Sequence, residues 1–253
     1  MQVFYDLNDW INFRATLKAD VSLGFVPTMG NLHAGHSSLM QISRQENELT
    51  AVSIFINPTQ FNRPDDYSHY PRTLEADLLL LQENHIDYCL IPTEQAIYPD
   101  NYRYKIIEND FSTIMEGTHR PGHFNGVLTV VMKLLNLVKP KHAYFGEKDY
   151  QQYCLIRDMV RAFFMPVIIT LCPTIREEAS QLAFSSRNNL LTQNEKQLAK
   201  RFASIFHQDK AYDEISKQLK ENHIDVEYFI EHGNRRFIAV NIGNVRLIDN
   251  YAI

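Results

Sequence analysis

Two histidines three residues apart, His33 and His36, are the side chains of this sequence best suited to chemistry on a phosphate. Gly30 and Gly35 lie beside them and allow the backbone to approach a bulky ligand closely. A helix predicted from His36 onward has unsatisfied N–H groups in its first turn, and such groups favour an anion. The segment therefore predicts a phosphate site with two imidazole donors.

The same pattern also fits a surface turn with solvated histidines, or a zinc site. It is not a P-loop, which requires Gly-x-x-x-x-Gly-Lys-Ser/Thr. Against zinc, Cys89, Cys154 and Cys172 show no Cys-x-x-Cys spacing, and the chain contains no His-Glu-x-x-His. The sequence leaves the metal ligands unknown.

A second polar turn follows the buried strand predicted over residues 49–56. Pro58 keeps Asn57 out of the helical region, and Gln60 follows just beyond the carboxyl end of the strand, where open α/β sheets bind ligands. The amide of Gln60 offers a donor and an acceptor, which suits a ligand with hydroxyl and carboxylate groups. A turn whose glutamine faces water is the alternative.

A third polar segment covers residues 144–152. Gly146 ends a predicted strand, Lys148 can neutralise phosphate, and Asp149 can cap the next helix. Gln152 follows one turn later. The alternative is a solvated surface turn whose charges pair with one another.

Two hydroxyls followed by a guanidinium, Ser185, Ser186 and Arg187, form the fourth candidate site. These groups suit the oxygens of a triphosphate, although a capped helix start is the alternative. Upstream, Arg120 and His123 belong to a dense polar run that is costly to order unless it meets a ligand or a partner surface.

Composition excludes several classes of protein. The 253 residues are 45% hydrophobic, which supports a real core, and the net charge of −5 gives no global attraction to nucleic acid. The N-terminus lacks the basic and apolar regions of a signal peptide, and no run reaches the length of a membrane span. Three scattered cysteines indicate a reducing compartment. We therefore expect a cytoplasmic protein with no nucleic-acid or membrane partner.

Strand-like runs alternate with helical periodicity through the first two-thirds of the chain. This alternation predicts an α/β fold with a Rossmann-like parallel sheet and helices on both faces. We expect the first of these strands, over residues 21–26, to end at Pro27, which cannot donate a ladder hydrogen bond. We expect Asn125 to cap a long apolar helix that Pro140 stops.

After about Thr174 the pattern changes. Charged helical segments precede three short strand candidates, an order typical of a small α+β domain with a short antiparallel sheet. We therefore predict a Rossmann-like domain over residues 1–175 and a smaller C-terminal domain over residues 176–253.

Together, the four candidate sites resemble those of the pantothenate synthetase family, the pantoate–β-alanine ligases, in the nucleotidylyl-transferase superfamily. The resemblance runs from about Gly24 to Thr192. Two features depart from the family: its Asp-Gly pair is missing after Arg176, with one residue extra, and Phe184 replaces a methionine. The matching segments are Pro27-Thr-Met-Gly30, His33-Ala-Gly-His36, Ile54-Phe-Ile-Asn-Pro-Thr-Gln-Phe61, Tyr70-Pro-Arg-Thr-Leu-Glu-Ala-Asp77, Arg120-Pro-Gly-His-Phe124, Gly146-Glu-Lys-Asp-Tyr-Gln-Gln152 and Ser185-Ser-Arg-Asn188.

The resemblance implies an enzyme that joins pantoate to β-alanine with ATP as a substrate, through pantoyl adenylate. It implies Mg²⁺ on the phosphates, a homodimer formed through the first domain, and a second domain that closes as a lid. It implies catalytic roles for His33, His36, Lys148 and Arg187, with His36 as proton donor. The residues implied to bind ATP are Met29, Gly30, His33, His36, Gly146, Glu147, Lys148, Asp149, Ile175, Phe184, Ser185, Ser186 and Arg187. Those implied to bind the organic substrates are Thr28, Asn57, Gln60 and Gln152.

Two other functions stay open at this point. A plain nucleotidylyltransferase would share His33 and His36 but gives no reason for paired Gln60 and Gln152. A non-catalytic nucleotide- or RNA-binding protein with the same fold is the other alternative, and the overall acidity argues against RNA.

Overall fold

The computed structural model describes residues 1–253, apart from the side chain of Pro64. The chain divides into two compact units. The first unit contains Met1–Leu32, His36–Gly146 and Gln151–Cys172, and the second contains His33–Gly35, Glu147–Tyr150 and Pro173–Ile253. The predicted domain division at residue 175 stays a prediction.

The first unit is built on a parallel β-sheet of six strands. Its strands are β1 Gln2–Phe4, β2 Leu23–Thr28, β3 Leu49–Ile54, β4 Tyr88–Leu90, β5 His142–Gly146 and β6 Ile168–Cys172. They pair in the order β1-β4-β3-β2-β5-β6, and every pairing is parallel. This sheet and the helices that flank it confirm the predicted fold class.

Helices follow most of these strands along the chain. They are α1 Leu7–Thr16, α2 Ala34–Glu46, α3 Pro64–Ser68, α4 Leu74–Glu83, α5 Glu94–Ile97, α6 Glu116–His119, α7 His123–Val138 and α8 Tyr150–Ala162. Short 3₁₀ helices cover Pro58–Gln60, Phe111–Thr113 and Glu147–Asp149.

The central strand β2 is covered on both faces of the sheet. Successive residues of a strand point to opposite faces, and in β2 they pack in two different cores. Phe25 of β2 packs in one apolar core with Trp10 of α1 and Leu128 of α7. The next residue, Val26, packs in another core with Met40 of α2. Strands that are covered on both sides form nearly continuous apolar runs, which is why they are detectable in the sequence.

The expectation that the first predicted strand ends at Pro27 is wrong, because β2 continues to Thr28. The carbonyl of Leu23 faces β5 and accepts a hydrogen bond from Lys141 N. Every second residue of a strand directs its polar groups to the same side, so the Pro27 nitrogen also faces β5. The pairing of β2 with β5 ends at Phe25. The missing N–H of proline therefore removes no hydrogen bond from the sheet.

The expectation that Asn125 caps the long apolar helix is also wrong, because α7 begins two residues earlier, at His123. Gly122 precedes it with a φ of 80°, in the left-handed region that glycine adopts without steric cost. A backbone turn at glycine, rather than an asparagine side chain, therefore starts the helix. The predicted stop before Pro140 is confirmed, since α7 ends at Val138.

The second unit has a core of its own. Its elements are α9 Gln193–Phe206, α10 Tyr212–Glu221, β7 Asp225–Glu231, β8 Arg235–Ile242, β9 Val245–Ala252 and a 3₁₀ helix at Ser186–Leu190. The strands form an antiparallel sheet in the order β7-β8-β9, and Phe202 and Phe206 of α9 pack in one core with Ile238 of β8. The predicted short antiparallel sheet is confirmed.

Candidate active site

A buried carboxylate holds the turn that follows β2 in the first unit. Asp77 of α4 accepts hydrogen bonds from Asn31 N at 2.9 Å and from Leu32 N at 2.7 Å. Gly30 adopts a φ of 78°, and its N–H donates to the Thr28 hydroxyl at 3.2 Å. The backbone of this turn is therefore fixed by the protein itself. Asp77 belongs to a segment that matches the family, but nothing in the local sequence predicts its role in this turn.

His33, in the second unit, is a neutral imidazole. Burial, and then the charge of Lys148, lower its pKa from 6.5 to about 4, although Asp149 acts in the opposite direction. The N–H of Gly35 donates to His33 Nδ1 at 3.1 Å, so Nδ1 is an acceptor and the ring proton lies on Nε2. His33 can therefore donate an Nε2–H hydrogen bond to an anionic oxygen at neutral pH. The sequence alone does not determine this protonation state.

His36 lies in the first turn of α2, within the first unit, and is half-buried. The helix begins at Ala34, two residues before the predicted start. His36 is therefore already inside the helix, whereas His33 precedes it.

The C-terminal hairpin of the second unit fixes the backbone at Lys148. Asn250 of β9 donates hydrogen bonds from Nδ2 to Glu147 O at 2.9 Å and to Lys148 O at 2.8 Å. Arg235 of β8 donates to Glu147 Oε1 at 2.7 Å and to Asn250 Oδ1. The Arg235 guanidinium also lies 3.9 Å from the ring centroid of Tyr150, a distance typical of cation–π stacking. Neither Arg235 nor Asn250 is predicted as a site residue from the sequence, because both lie far along the chain from Lys148.

The altered loop after Arg176 closes as a tight hairpin. Arg176 and Ala183 form an isolated antiparallel bridge, and Gln181 N donates to Glu177 O at 2.8 Å. Gln181 has a φ of 63°, in the left-handed region that such a tight turn requires. The loop therefore closes without the Asp-Gly pair that the family has at this place.

An ionised carboxylate anchors this hairpin. Arg176 donates two hydrogen bonds of 2.7 Å to Asp249, and His207 Nε2 lies 3.0 Å from Asp249 Oδ2. Burial alone would raise the pKa of Asp249, but the hydrogen bonds from His207 and Arg176 hold it below its usual value. Bidentate Arg–carboxylate pairs fix orientation as well as distance.

The predicted triphosphate segment continues directly from the hairpin. Phe184 N donates to Ile175 O at 3.0 Å. The Ser185 hydroxyl accepts a hydrogen bond from Arg187 N at 3.3 Å and caps the 3₁₀ helix that begins at Ser186. The backbone of this segment is therefore a capped helix start, as the alternative interpretation expected. The side chains of Ser186 and Arg187 are half-buried.

Gln60 of the first unit is held on several sides. Its carbonyl oxygen lies 2.8 Å from His123 Nδ1, and its side-chain Oε1 accepts from Asn57 Nδ2 at 3.0 Å. Gln60 Nε2 lies 3.2 Å from the Met29 sulfur. A Cβ on Gly126 would lie 2.7 Å from Gln60 N, so glycine is needed where α7 approaches this backbone. The structure thus joins three of the predicted site residues.

The other glutamine, Gln152, lies half-buried near the start of α8. Its neighbour Gln151 is buried and donates to Phe111 O at 2.7 Å and to Ile114 O at 2.9 Å. Gln151 therefore holds a loop. Within the described part of the chain, Gln152 makes no side-chain hydrogen bond to protein, so its amide is available to a ligand.

The described residues contain no group of three or more histidine, cysteine, aspartate or glutamate side chains that could hold a metal ion. None of the helices in the described chain combines the length and hydropathy that a bilayer crossing requires.

Comparison with known proteins decides the family. A sequence model described as pantoate-beta-alanine ligase matches residues 2–252. The chain belongs to the pantoate-beta-alanine ligase family. A pantothenate synthetase of Legionella pneumophila (strain Lens) is 60% identical to it over 253 residues, 100% of both chains. The predicted enzyme class, a ligase for pantoate and β-alanine, is confirmed.

Solved structures of the family agree in fold. The pantoate-beta-alanine ligase of Francisella tularensis, complexed with beta-gamma ATP and β-alanine, is similar with a TM-score of 0.94 and 41% identity, over 100% of this chain and 97% of that one. The pantothenate synthetase of Thermus thermophilus is similar with a TM-score of 0.89 and 36% identity, over 100% and 99% of the two chains. The roles of individual residues stay predictions.

Proposed function

We propose that this chain makes pantothenate in two steps through a noncovalently held pantoyl adenylate. A carboxylate oxygen of pantoate attacks the α-phosphorus of ATP, and pyrophosphate leaves. The amine of β-alanine then attacks the acyl carbon, and the acyl–oxygen bond breaks to release AMP. The observation that carries this proposal is the pair formed by neutral His33 and the ammonium of Lys148 in the second unit, because both groups donate to anionic oxygens.

Charge dominates the first step, since a carboxylate approaches a triphosphate and pyrophosphate gains negative charge. We assign its stabilisation to His33, His36, Lys148 and Arg187, with His36 as the proton donor. Removal of one preorganised donor typically costs about 3–4 kcal/mol, or roughly 10²–10³ in rate. The remaining ATP contacts are assigned to Met29, Gly30, Gly146, Glu147, Asp149, Ile175, Phe184, Ser185 and Ser186.

The organic acid is assigned to Gln60 and Gln152, whose amides suit its hydroxyl and carboxylate oxygens. Thr28 and Asn57 are assigned to the same substrate site, although the contacts they make here are to protein: the Thr28 hydroxyl donates to Ser53 O at 2.7 Å. Holding a carboxylate in position for attack lowers the entropic part of the barrier.

A covalent acyl-enzyme has no support from the buried thiols of Cys89 and Cys172. Burial raises the pKa of the Cys89 and Cys172 thiols to about 12 each. Such thiols are protonated at neutral pH and are poor nucleophiles. An adenylate held without a covalent bond fits these side chains better.

Mg²⁺ is proposed to arrive with ATP as part of the substrate. Mg²⁺ is usually held by substrate phosphates, water and one or two carboxylates rather than by an all-protein cage. This fits the described residues, which contain no cluster of three or more ligands.

Three features of organisation belong to the same proposal. Residues 1–175 bind ATP and pantoate, and residues 176–253 close over them as a lid, which would protect an adenylate from hydrolysis.

The chain forms a homodimer through the first domain. In support, Phe164 is 94% exposed and Ile168 is 56% exposed, at or just before β6, an edge strand of the sheet. The described chain contains no disulfide, which is consistent with a cytoplasmic location.

AMP formation tests the proposal directly. We expect release of AMP and pyrophosphate to require pantoate, and AMP release at full rate to require β-alanine as well. Lys148→Ala should lower the rate by about 10²–10³, whereas Lys141→Ala, which removes an exposed lysine, should leave it unchanged. A nucleotide-linked product that persists in the presence of β-alanine would favour the plain nucleotidylyltransferase instead.

A further inference from the structure

The orientation of the Asn57 side-chain amide is fixed by its surroundings in the first unit. Asn57 Oδ1 accepts hydrogen bonds from Tyr98 Oη at 2.7 Å and from Thr59 Oγ1 at 2.9 Å. A third donor, Thr59 N, lies 3.4 Å away. Hydroxyl groups can donate or accept, but Thr59 N can only donate, so the atom that faces it is an oxygen and the Asn57 amide has one orientation.

The other end of this amide determines the orientation of Gln60. Asn57 Nδ2 donates to Gly126 O at 3.2 Å and to Gln60 Oε1 at 3.0 Å, which uses both of its hydrogens. Gln60 must therefore present its oxygen to Asn57 and its nitrogen away from it. One Nε2 hydrogen is directed to the Met29 sulfur at 3.2 Å, a weak acceptor. The second makes no hydrogen bond within the described part of the chain.

We propose that Tyr98 and Thr59 are positioning residues, which act through Asn57 to hold Gln60 as a hydrogen-bond donor toward an acceptor oxygen of the organic acid. This inference rests on the proposed function, in which Gln60 contacts pantoate. It adds a rule of specificity: the group of the acid that meets Gln60 must offer an acceptor oxygen, such as a carboxylate or hydroxyl oxygen. A group with donor hydrogens only, such as an ammonium group, would meet the Nε2 hydrogens and be rejected.

The character of Tyr98 supports this role. The side chain is 3% exposed, and burial raises the pKa of its phenol to about 12. The hydroxyl therefore keeps its proton, and with it the ability to donate, throughout the neutral pH range. The nearby cation, Lys133 Nζ at 5.1 Å from the ring centroid, faces the ring and not this hydrogen bond to Asn57.

The test removes the two donors without removing the rings and methyl groups that pack. Tyr98→Phe combined with Thr59→Val removes both hydroxyl donors to Asn57 Oδ1. Only the backbone groups Thr59 N and Gly126 O then orient the Asn57 amide, so Gln60 is held less firmly as a donor. We expect KM for pantoate to rise about 10–100-fold, the effect of losing a hydrogen bond to a charged group, with kcat/KM for ATP changed by less than about threefold. Tyr102→Phe is the matched control, because Tyr102 packs against the Tyr98 ring with centroids 5.3 Å apart. It should leave both constants unchanged.

A conservative variant adds a second readout. Asn57→Asp still accepts from Tyr98 and Thr59 but cannot donate to Gln60. The Gln60 amide must then turn and present its oxygen to the acid, so we expect KM for pantoate to rise at least as much as in the double variant. In that inverted site, an analogue that carries a carboxamide in place of the carboxylate should bind better, relative to pantoate, than it does to the unmodified enzyme.

Gln60→Glu separates this inference from the proposed function. If Gln60→Glu left KM for pantoate unchanged, Gln60 would not contact the acid and the substrate assignment itself would fail. If Gln60→Glu raised that constant while the double variant only lowered the melting temperature, the positioning role of Tyr98 and Thr59 would be overturned and the substrate assignment would stand.

Discussion

Replacing Asp77 with asparagine should loosen the turn after β2 while leaving its shape and volume almost unchanged. Asp77 Oδ2 accepts from Asn31 N, whereas Oδ1 accepts from Leu32 N at 2.7 Å and from the Thr73 hydroxyl at 3.2 Å. An asparagine offers one oxygen and one NH₂ group. In either orientation the NH₂ group faces one of the two backbone N–H donors, which then loses its acceptor.

The size of the effect follows from burial and charge. Asp77 is 3% exposed, so the displaced N–H finds little water to replace its partner. A hydrogen bond to a charged group contributes about 1.5–3 kcal/mol, and we expect Asp77→Asn to lower the free energy of unfolding by that amount. If ATP binding requires the turn in its observed form, kcat/KM for ATP should fall by about 10–100-fold, the same free energy expressed as a rate ratio.

Urea unfolding and steady-state AMP release measure the two quantities separately. Asp87→Asn is the matched control: Asp87 is half-buried in the same unit and accepts from one backbone group, Thr50 N, at 2.8 Å. The Asp87→Asn substitution should lower the free energy of unfolding and leave kcat/KM for ATP within about twofold of the unmodified enzyme's value. An Asp77→Asn enzyme that lost stability as the control does, yet kept full kcat/KM for ATP, would refute the role assigned to this turn.

Asn250→Ala removes both hydrogen bonds that fix the backbone at Lys148, so kcat should fall about tenfold, measured by AMP release at saturating substrates. Acidification from pH 7 to 5 should destabilise the fold. The imidazole of unfolded His33 takes up a proton near pH 6.5, whereas the folded ring, with its pKa of about 4, does not. After allowance for the partly exposed ring, the loss at pH 5 is roughly 1 kcal/mol, and His33→Gln should flatten this slope in urea titrations. Gly126→Ala places a Cβ 2.7 Å from Gln60 N, so KM for pantoate should rise several-fold without a matching change for ATP.

Each of these outcomes has a clear opposite. An Asn250→Ala enzyme with unchanged kcat would show that the hairpin does not position Lys148. An identical pH dependence of stability in the unmodified protein and the His33→Gln variant would contradict the neutral buried imidazole. A Gly126→Ala enzyme that changed the constants for ATP and pantoate equally would indicate general distortion instead of a local shift at Gln60.

The sheet of the first unit was largely predictable, because its strands are covered on both faces. β3 and β5 are short apolar runs bounded by polar turns, and α7 has a wide apolar face, so both the type and the place of these elements could be inferred. β1 and α1 could not be. β1 has only three residues and depends on pairing with β4, far along the chain, and only Trp10 of α1 is buried.

Pro27 shows why local rules failed at one strand end. Proline removes a ladder donor, but the cost depends on which neighbour the missing N–H would have met. That neighbour, β5, has already left the pairing at Phe25. The order of strands in the sheet, which local sequence does not encode, therefore decided the end of β2.

The candidate site, like the sheet, was only partly predictable from the sequence. The side chains that we assign to a ligand, such as His33 and Lys148, fall in compact segments whose residue types suggest their chemistry. The groups that hold them lie far away in the chain: Asp77 is 46 residues from Asn31, and Asn250 is 103 residues from Glu147. Only the folded chain brings such pairs together, so the sequence could predict the donors but not their supports.

Transfer of labelled oxygen tests the central claim, the pantoyl adenylate, most directly. Pantoate carrying oxygen-18 in both carboxylate positions is converted with ATP and β-alanine, and the products are analysed by mass spectrometry. In the adenylate, one pantoate oxygen bridges the acyl carbon and the α-phosphorus. The amine breaks the bond between this oxygen and the acyl carbon, so the oxygen stays on phosphorus and each AMP should carry one labelled oxygen. Unlabelled AMP, or label in inorganic phosphate together with ADP, would contradict this mechanism.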